Sequence, residues 1–162
     1  MIFIGIDPGL KGAVAWYKCD DAPRLYVVDI PTHKATVNGK PRNRLDITEL
    51  GALFQVRLAP VKDTLAIIED VHAMPLQGVA SSFTFGFVAG AIQQSVCDAG
   101  IRAVLVPPAT WKRRLGISAD KNEARALATK IFPQYADLWA KVSHADRAEA
   151  ALLAYYGSKF LR

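Results

Sequence analysis

Runs of apolar residues that end at polar or turn-forming residues divide this chain into strands and helices. Residues 2–6 run apolar into Asp7, and Pro8-Gly9 follows, a pattern typical of a buried strand and its turn. Further strands are predicted at 12–17, 24–30, 64–69 and 102–106. Apolar residues at helical spacing predict helices at 82–99, 109–115, from Asp120 to near Phe132, and from near Ser143 to Lys159.

Capping patterns mark two helix starts. Asp46 is followed three residues later by Glu49, and Asp120 by Glu123, as in a capping box. The helix beginning at Asp46 has an apolar face made of Ile47, Leu50, Leu53, Phe54 and Leu58. Gly100 is predicted to end the helix at 82–99.

The lengths of the connections predict the topology. Short links favour an antiparallel meander of the first three strands, whereas the two strands followed by helices are expected to lie parallel to the first. We therefore predict one α/β domain over 1–162: a five-stranded mixed sheet, with the first strand central and helices on both faces. The segment 33–44 is predicted to be irregular, with a hairpin allowed at Asn38-Gly39, and 70–80 to be a loop containing Pro75.

Composition narrows the class of protein. The chain has 162 residues, of which 51% are hydrophobic, which excludes a mainly disordered protein. No run approaches the length of a membrane span, and the start does not resemble a signal peptide. We therefore expect a soluble cytoplasmic protein (in the host cytoplasm if viral). Cys19 and Cys97 are expected to be reduced and structural.

Basic residues cluster in two places. The net charge is +5 and the sequence pI is about 9.3, which indicates a polyanionic partner. Segment 33–44 carries Lys34, Lys40, Arg42 and Arg44 without an acid, and 111–114 carries Lys112, Arg113 and Arg114. Both clusters are candidate contacts for nucleic acid.

Four acids stand where the local pattern favours apolar or neutral residues. Asp7 and Glu69 end buried strands, and Asp146 and Glu149 share one face of the last helix. Parallel strands would bring Asp7 and Glu69 to the same edge of the sheet. Four converging carboxylates would hold two Mg²⁺ or Mn²⁺ ions about 3.5–4 Å apart for phosphodiester cleavage. From spacing alone, the alternative of ordinary turn residues and a solvated helix face stays open.

Several segments together resemble the RuvC-type Holliday-junction resolvases, particularly their phage and poxvirus-like branch. The matching segments, in chain order, are GIDPGLKGAVAW, AIIEDV, PPATWKRRLG, DKNEARALATKIFP and HADRAEAALLAYYG. The resemblance implies a ribonuclease H-like fold and a homodimeric crossover junction endodeoxyribonuclease that needs Mg²⁺ or Mn²⁺. Such an enzyme nicks opposite strands of a four-way DNA junction, leaving 5′ phosphate and 3′ hydroxyl ends, and needs no organic cofactor.

By position, the resemblance assigns metal binding and catalysis to four residues, and DNA contact to others. The catalytic set is Asp7, Glu69, Asp146 and Glu149. Glu149 replaces the Asp that is usual in bacterial members, and some members have His where Asp146 stands. The adjacent His144 is expected either to assist or to be an ordinary surface residue. The implied phosphate contacts are Lys112 and Lys121, with Arg113 and Arg114 extending the strip.

One further region departs from the family pattern, and the role of another is implied only by the resemblance. Bacterial members stack an aromatic residue on bases shortly after the fourth-strand acid, but here that place falls near His72, followed by Met74. His72 is therefore a candidate base contact, and junction selectivity stays open. The resemblance places the helix at 82–99 in the dimer interface, where Gly86, Ala89 and Gly90 would permit close contact; intrachain packing is the alternative.

Competing functions remain. A broader nuclease for flaps and forks, or a non-catalytic protein that binds branched DNA, would use the same fold. A sugar-kinase or actin-like phosphotransferase also begins with an Asp-Gly turn, but it needs two lobes and a second Gly-rich phosphate loop, which this sequence lacks.

Overall fold

The computed structural model describes residues 1–37, 39–55, 60–72 and 78–161. The strands are β1 (Ile2–Asp7), β2 (Ala13–Lys18), β3 (Arg24–Asp29), β4 (Thr32–Val37), β5 (Lys40–Leu45), β6 (Thr64–Glu69) and β7 (Arg102–Val106). The α-helices are α1 (Ile47–Gln55), α2 (Val79–Asp98), α3 (Pro108–Leu115), α4 (Lys121–Ile131) and α5 (Ala145–Phe160). Short 3-10 helices lie at Val61–Asp63, Pro133–Trp139 and Val142–His144.

Within the described residues, the larger of the two sheets has the predicted topology. Its strand order is β3-β2-β1-β6-β7, with β1 in the centre. The first three strands are antiparallel, and β6 and β7 run parallel to β1. The prediction of a five-stranded mixed α/β sheet is confirmed, and it places the ends of β1 and β6 side by side.

Alternate residues of the central strands build two separate cores. Phe3, Ala13 and Ala15 face α3, α4 and α5, whereas Ile4 and Ile6 face α1 and α2. This two-residue period is that of a strand covered on both sides. Helices therefore lie on both faces of the sheet, as the pattern predicted.

Gly5 sets how closely α5 approaches the sheet. A Cβ atom at this position would lie 2.0 Å from the carbonyl oxygen of Ala150 and 2.3 Å from the backbone nitrogen of Ala154. Both neighbours are backbone atoms of α5, so neither can turn aside. The contact between glycine and small alanines brings the first turn of α5 to the end of β1.

We expect Gly5→Ala to lower the free energy of unfolding by about 3 kcal/mol, since the added methyl must push α5 off the sheet. Urea denaturation measures the change. Gly51→Ala in α1 is the matched control, because a Cβ there meets nothing within 4 Å, and it should stabilise by about 0.5–1 kcal/mol. Equal urea midpoints for Gly5→Ala and the wild type would contradict this close approach.

Several local predictions are confirmed and others are wrong. Segment 33–44 is not irregular: β4 and β5 form the hairpin that the turn signal allowed. Helix α2 begins at Val79 rather than at residue 82. Ile47 was predicted on the apolar face of α1 but is 58% exposed. Asn38, Leu58 and Pro75 lie outside the described residues.

The predicted helix caps are partly as expected. The Glu49 amide donates to Asp46 Oδ1 at 3.0 Å, and the Asn122 amide donates to Asp120 Oδ1 at 2.8 Å. The side chain of Glu123 instead accepts from the backbone amide of Ser118 at 2.7 Å. Gly100 has φ +71°, the left-handed conformation expected after a helix end. Among the described helices, none is both long and apolar enough to cross a membrane.

Candidate active site

Asp7 and Glu69 end adjacent parallel strands. Ile6 of β1 lies opposite Ile68 of β6 in the sheet register, so the acid that follows each of them emerges at the same edge. The strand register therefore confirms the prediction that Asp7 and Glu69 leave the sheet at the same edge.

The last helix brings two more acids to this edge. Oxygen atoms of Asp7, Asp146 and Glu149 lie within 4.8 Å of one another. Asp146 is in the first turn of α5 and Glu149 lies one turn later, so both project from the N-terminal end of this helix. Gly5 allows the helix to approach β1 closely. Glu69 does not join this group of three, although its charge acts on Asp7. The structure therefore brings three predicted ligands together and places the fourth beside them.

Two lysines predicted as phosphate contacts are paired with these acids. Lys112 Nζ lies 2.5 Å from Glu149 Oε1, and its side chain is only 15% exposed. Lys121 donates to Asp146 and lies 3.9 Å from Glu149 Oε2, with its side chain 55% exposed. Lys112 is therefore part of the acidic cluster, and Lys121 covers its solvent side.

Burial raises the pKa of Asp7 well above its usual range, and the charges of Glu69, Glu149 and Asp146 raise it further, while Lys121 opposes them. Burial also raises the pKa of Glu69, against the effect of a hydrogen bond from Trp111. Burial alone would lower the pKa of Lys121, but its hydrogen bond to Asp146 and the surrounding acids raise it. The site is therefore short of positive charge.

Trp111 is a functional residue that sequence reasoning missed. Its indole Nε1 donates to Glu69 Oε1 at 2.9 Å, and the side chain is fully buried. This bond fixes one oxygen of Glu69 and leaves the other for a ligand. The only sequence signal was a large aromatic residue immediately before Lys112 on a short basic helix.

A second missed contact ties α5 to the edge strand β3. The Arg147 guanidinium donates through Nε and Nη2 to the two carboxylate oxygens of Asp29, each at 2.6 Å. The hydrogen bond from Arg147 holds the pKa of Asp29 below its usual value. This pair anchors the turn of α5 that carries Asp146. The neighbouring His144 is half-buried, and its Nδ1 has no hydrogen-bond partner within the described residues.

Three predicted DNA contacts remain, and within the described residues none of them forms an ion pair with the four acids. Arg113 is exposed on α3. Arg114 stacks on the Phe160 ring at 5.2 Å, and Phe160 lies eleven residues beyond Glu149 on α5, about 16 Å along the axis. The structure therefore does not bring Arg114 to the cluster. His72 is exposed after β6, and Met74 lies outside the described residues.

The donor set fits a divalent cation. Carboxylate oxygens are the ligands that Mg²⁺ and Mn²⁺ prefer, and four ionised acids exceed the charge of the two nearby lysines. Burial is the main cause of the raised pKa of Asp7, and the charges of Glu69, Glu149 and Asp146 add to it. Asp7, Asp146 and Glu149 are placed to hold such an ion.

No family model matches this sequence, and no curated protein is significantly similar to it. Solved structures do match. RuvC from Thermus thermophilus superposes with a TM-score of 0.60 at 17% identity, over 98% of this chain and 96% of that one. T. thermophilus RuvC in complex with a Holliday junction substrate matches with the same TM-score, identity and coverage. At this identity the likeness shows the fold, and it confirms the predicted ribonuclease H-like class.

Proposed function

We propose that this chain is a divalent-metal-dependent endonuclease that resolves four-way DNA junctions by paired nicks. The observation that carries the proposal is the convergence of Asp7, Asp146 and Glu149 at one edge of a RuvC-like sheet. A protein of this fold has been seen bound to a Holliday junction. The sequence motifs further favour the phage and poxvirus-like branch of these resolvases.

In the proposed reaction the acids would bind the metal ions, and neighbouring residues would hold the acids in place. Asp7, Asp146 and Glu149 would hold one Mg²⁺ or Mn²⁺ ion, and Glu69 with Asp7 would complete a second site. Bound divalent ions supply a water of lowered pKa and neutralise charge on the phosphate. Trp111 keeps Glu69 in place, and Lys112 keeps Glu149 in place. The products carry 5′ phosphate and 3′ hydroxyl ends.

Lys121 is the better placed of the two lysines for contact with DNA. Its side chain is more than half exposed, whereas Lys112 is mostly enclosed with Glu149. With Asp146 engaged as a metal ligand, the Lys121 ammonium group would be free to meet a phosphate oxygen. Exposed Arg113 lies next to Lys112 in the chain and extends the basic surface. We assign these contacts to affinity and positioning rather than to sequence readout.

A second candidate function rests on His72. The resemblance expects a stacking aromatic near this position, and an exposed imidazole is a weaker stacking group. A protein of this kind would cut flaps and forks as well as junctions, with the same chemistry.

The test is cleavage of matched four-way junction, flap, duplex and single-stranded DNA, with Mg²⁺, with Mn²⁺ and with EDTA. Paired nicks in the junction that require the metal are the expected result. Equal cutting of flaps would favour the broader nuclease. Binding of junctions without metal-dependent nicking would overturn the enzymatic proposal and leave a non-catalytic binding protein.

The outer stripe of α2 supports a homodimer. Val79, Phe83 and Phe87 lie four residues apart and are 88%, 75% and 49% exposed. Gly86 and Gly90 lie three residues after Phe83 and Phe87, on the same side of the helix, and a Cβ at either glycine would meet nothing within 4 Å. Two copies of this stripe would pack closely around a two-fold axis, since large and small residues alternate along it.

We expect Phe83→Glu to convert the dimer into a monomer, raising its dissociation constant about 100-fold or more, because two buried carboxylates would face each other. Light scattering after size-exclusion chromatography measures the mass. Tyr26→Glu is the matched control, since Tyr26 is an exposed aromatic on β3, and it should remain dimeric. A wild-type monomer at micromolar concentration would rule out this interface.

A further inference from the structure

A cleft of about 660 Å³ lies between the β4–β5 hairpin and the first turns of α2. Arg42 and Arg44 line one wall, and Leu10, Phe85 and Val88 form an apolar part of its surface. Its volume is within the range of about 300–1,000 Å³ that is usual for small-molecule sites. The combination of an aromatic ring, aliphatic groups and two guanidinium groups suits a ligand with a flat ring and a phosphate.

The hairpin register places Arg42 and Arg44 on one face, and both line this cleft. Arg42 pairs with Ala35, and Arg44 with His33, so these residues share one face of the two-stranded ribbon with Val37. Within the described residues, no acid lies within ion-pair distance of Arg42 or Arg44. Adjacent guanidinium groups without a counter-charge repel each other, and a bound anion would relieve that repulsion.

The cleft also borders the catalytic turn. The Phe85 ring lies 3.7 Å from the position that a Cβ on Gly9 would take, two residues after Asp7. Leu10 lines this cleft and also a smaller one of about 250 Å³ that reaches Lys11 and Asp146. Leu10 therefore borders both the cleft of the two arginines and the smaller cleft that reaches Asp146.

We propose that this cleft binds one unpaired nucleotide of the branched DNA, with its phosphates on Arg42 and Arg44 and its base against Phe85. The proposal rests on the proposed function, since it names where that substrate lies beyond the scissile phosphate. It also supplies a base contact in a protein that has exposed His72 where the resemblance expects a stacking aromatic. A base held on an aromatic ring next to a positive wall is a common way to bind single-stranded DNA.

The test measures binding of a four-way junction, with 2-aminopurine at the branch point, in EDTA to prevent cleavage. Fluorescence anisotropy at several salt concentrations gives the dissociation constant and its salt dependence. Arg42→Gln and Arg44→Gln should each weaken binding about tenfold and lower the salt slope by about one. Lys62→Gln removes the same charge before β6, at the opposite edge of the sheet, and should change binding about twofold or less.

The 2-aminopurine signal tests the base contact. It should change when wild-type protein binds, and the change should be lost in Phe85→Leu, whose folding is checked by its thermal midpoint. An unchanged signal with saturating wild-type protein would overturn the nucleotide site.

Metal-dependent cleavage by the wild type separates this proposal from the function on which it rests. A wild-type protein that cuts junctions, with arginine variants that bind as well as Lys62→Gln, would overturn the cleft alone. A wild-type protein that neither binds nor cuts branched DNA would overturn both.

Discussion

Replacing Asp7 by Asn should abolish metal-dependent cleavage, by about 10³-fold or more, and at the same time make the metal-free protein more stable. Asp7 supplies an oxygen to the group of three that also includes Asp146 and Glu149. An amide has no charge to offer a cation, so metal binding should weaken. The same amide ends the repulsion between Asp7 and its acidic neighbours, and unfolding should become about 1–2 kcal/mol more costly.

The stability change should depend on pH in a defined direction. Burial and the neighbouring acids raise the pKa of Asp7, so the folded protein binds that proton more tightly than the unfolded chain. Stability from this group is full below about pH 4 and is lost as the pH rises through the raised pKa. Metal-free wild-type protein should therefore lose stability from about pH 4 towards neutral pH, and Asp7→Asn should lose less.

Thermal unfolding in EDTA across this pH range, together with junction cleavage in Mg²⁺, measures both effects. Asp137→Asn is the matched control, since Asp137 is exposed in the 3-10 helix Pro133–Trp139. It should cleave normally and unfold at the wild-type temperature. An Asp7→Asn protein that still nicks junctions would show that the proposed ligand is not needed for the chemistry.

The acidic residues could be predicted from sequence because strand ends and helix periodicity determine where they lie. Asp7 and Glu69 follow apolar runs. Because adjacent parallel strands end at the same edge of the sheet, both acids must lie there. Asp146 and Glu149 are three residues apart, which puts them on one helical face. The apolar stripe beside them on the same helix indicates that this face approaches the sheet, and Gly5 shows physically how it can.

The partners of these acids could not be predicted, because they depend on side-chain directions between distant elements. Arg147 and Asp29 are 118 residues apart, and no local pattern connects them. Trp111 resembled an ordinary core residue, yet its indole nitrogen donates to Glu69. Lys112 belonged to a basic run, and only the packing of α3 against α5 reveals that it points inward.

Lys112→Met should have the opposite effect to Asp7→Asn in the metal-free protein, lowering the free energy of unfolding at pH 8 by about 3–5 kcal/mol. Methionine keeps much of the aliphatic side chain but removes the ammonium group 2.5 Å from Glu149. The Glu149 side chain is only 6% exposed, so water cannot replace the lost partner. The other cation nearby, Lys121, lies 3.9 Å away.

Conditions that supply positive charge or remove negative charge should reduce the loss of stability in Lys112→Met. Because its pKa is raised, more Asp7 is neutral at pH 5 than at pH 8, and this lessens the repulsion on Glu149. Mg²⁺ at one fixed concentration should also narrow the gap, because the variant has no ammonium group competing for Glu149, binds the ion more tightly than wild type and so gains more stability from it. Urea denaturation at both pH values, with and without Mg²⁺, measures these differences.

The matched control is Lys130→Met, because Lys130 is exposed in the last turn of α4. Its free energy of unfolding should stay within about 0.5 kcal/mol of wild type. If Lys112→Met behaved like this control at pH 8, Glu149 would not depend on Lys112, and the cluster would have to be balanced by Lys121 alone. A deficit that Mg²⁺ leaves unchanged would instead mean that the ion binds without reaching Glu149.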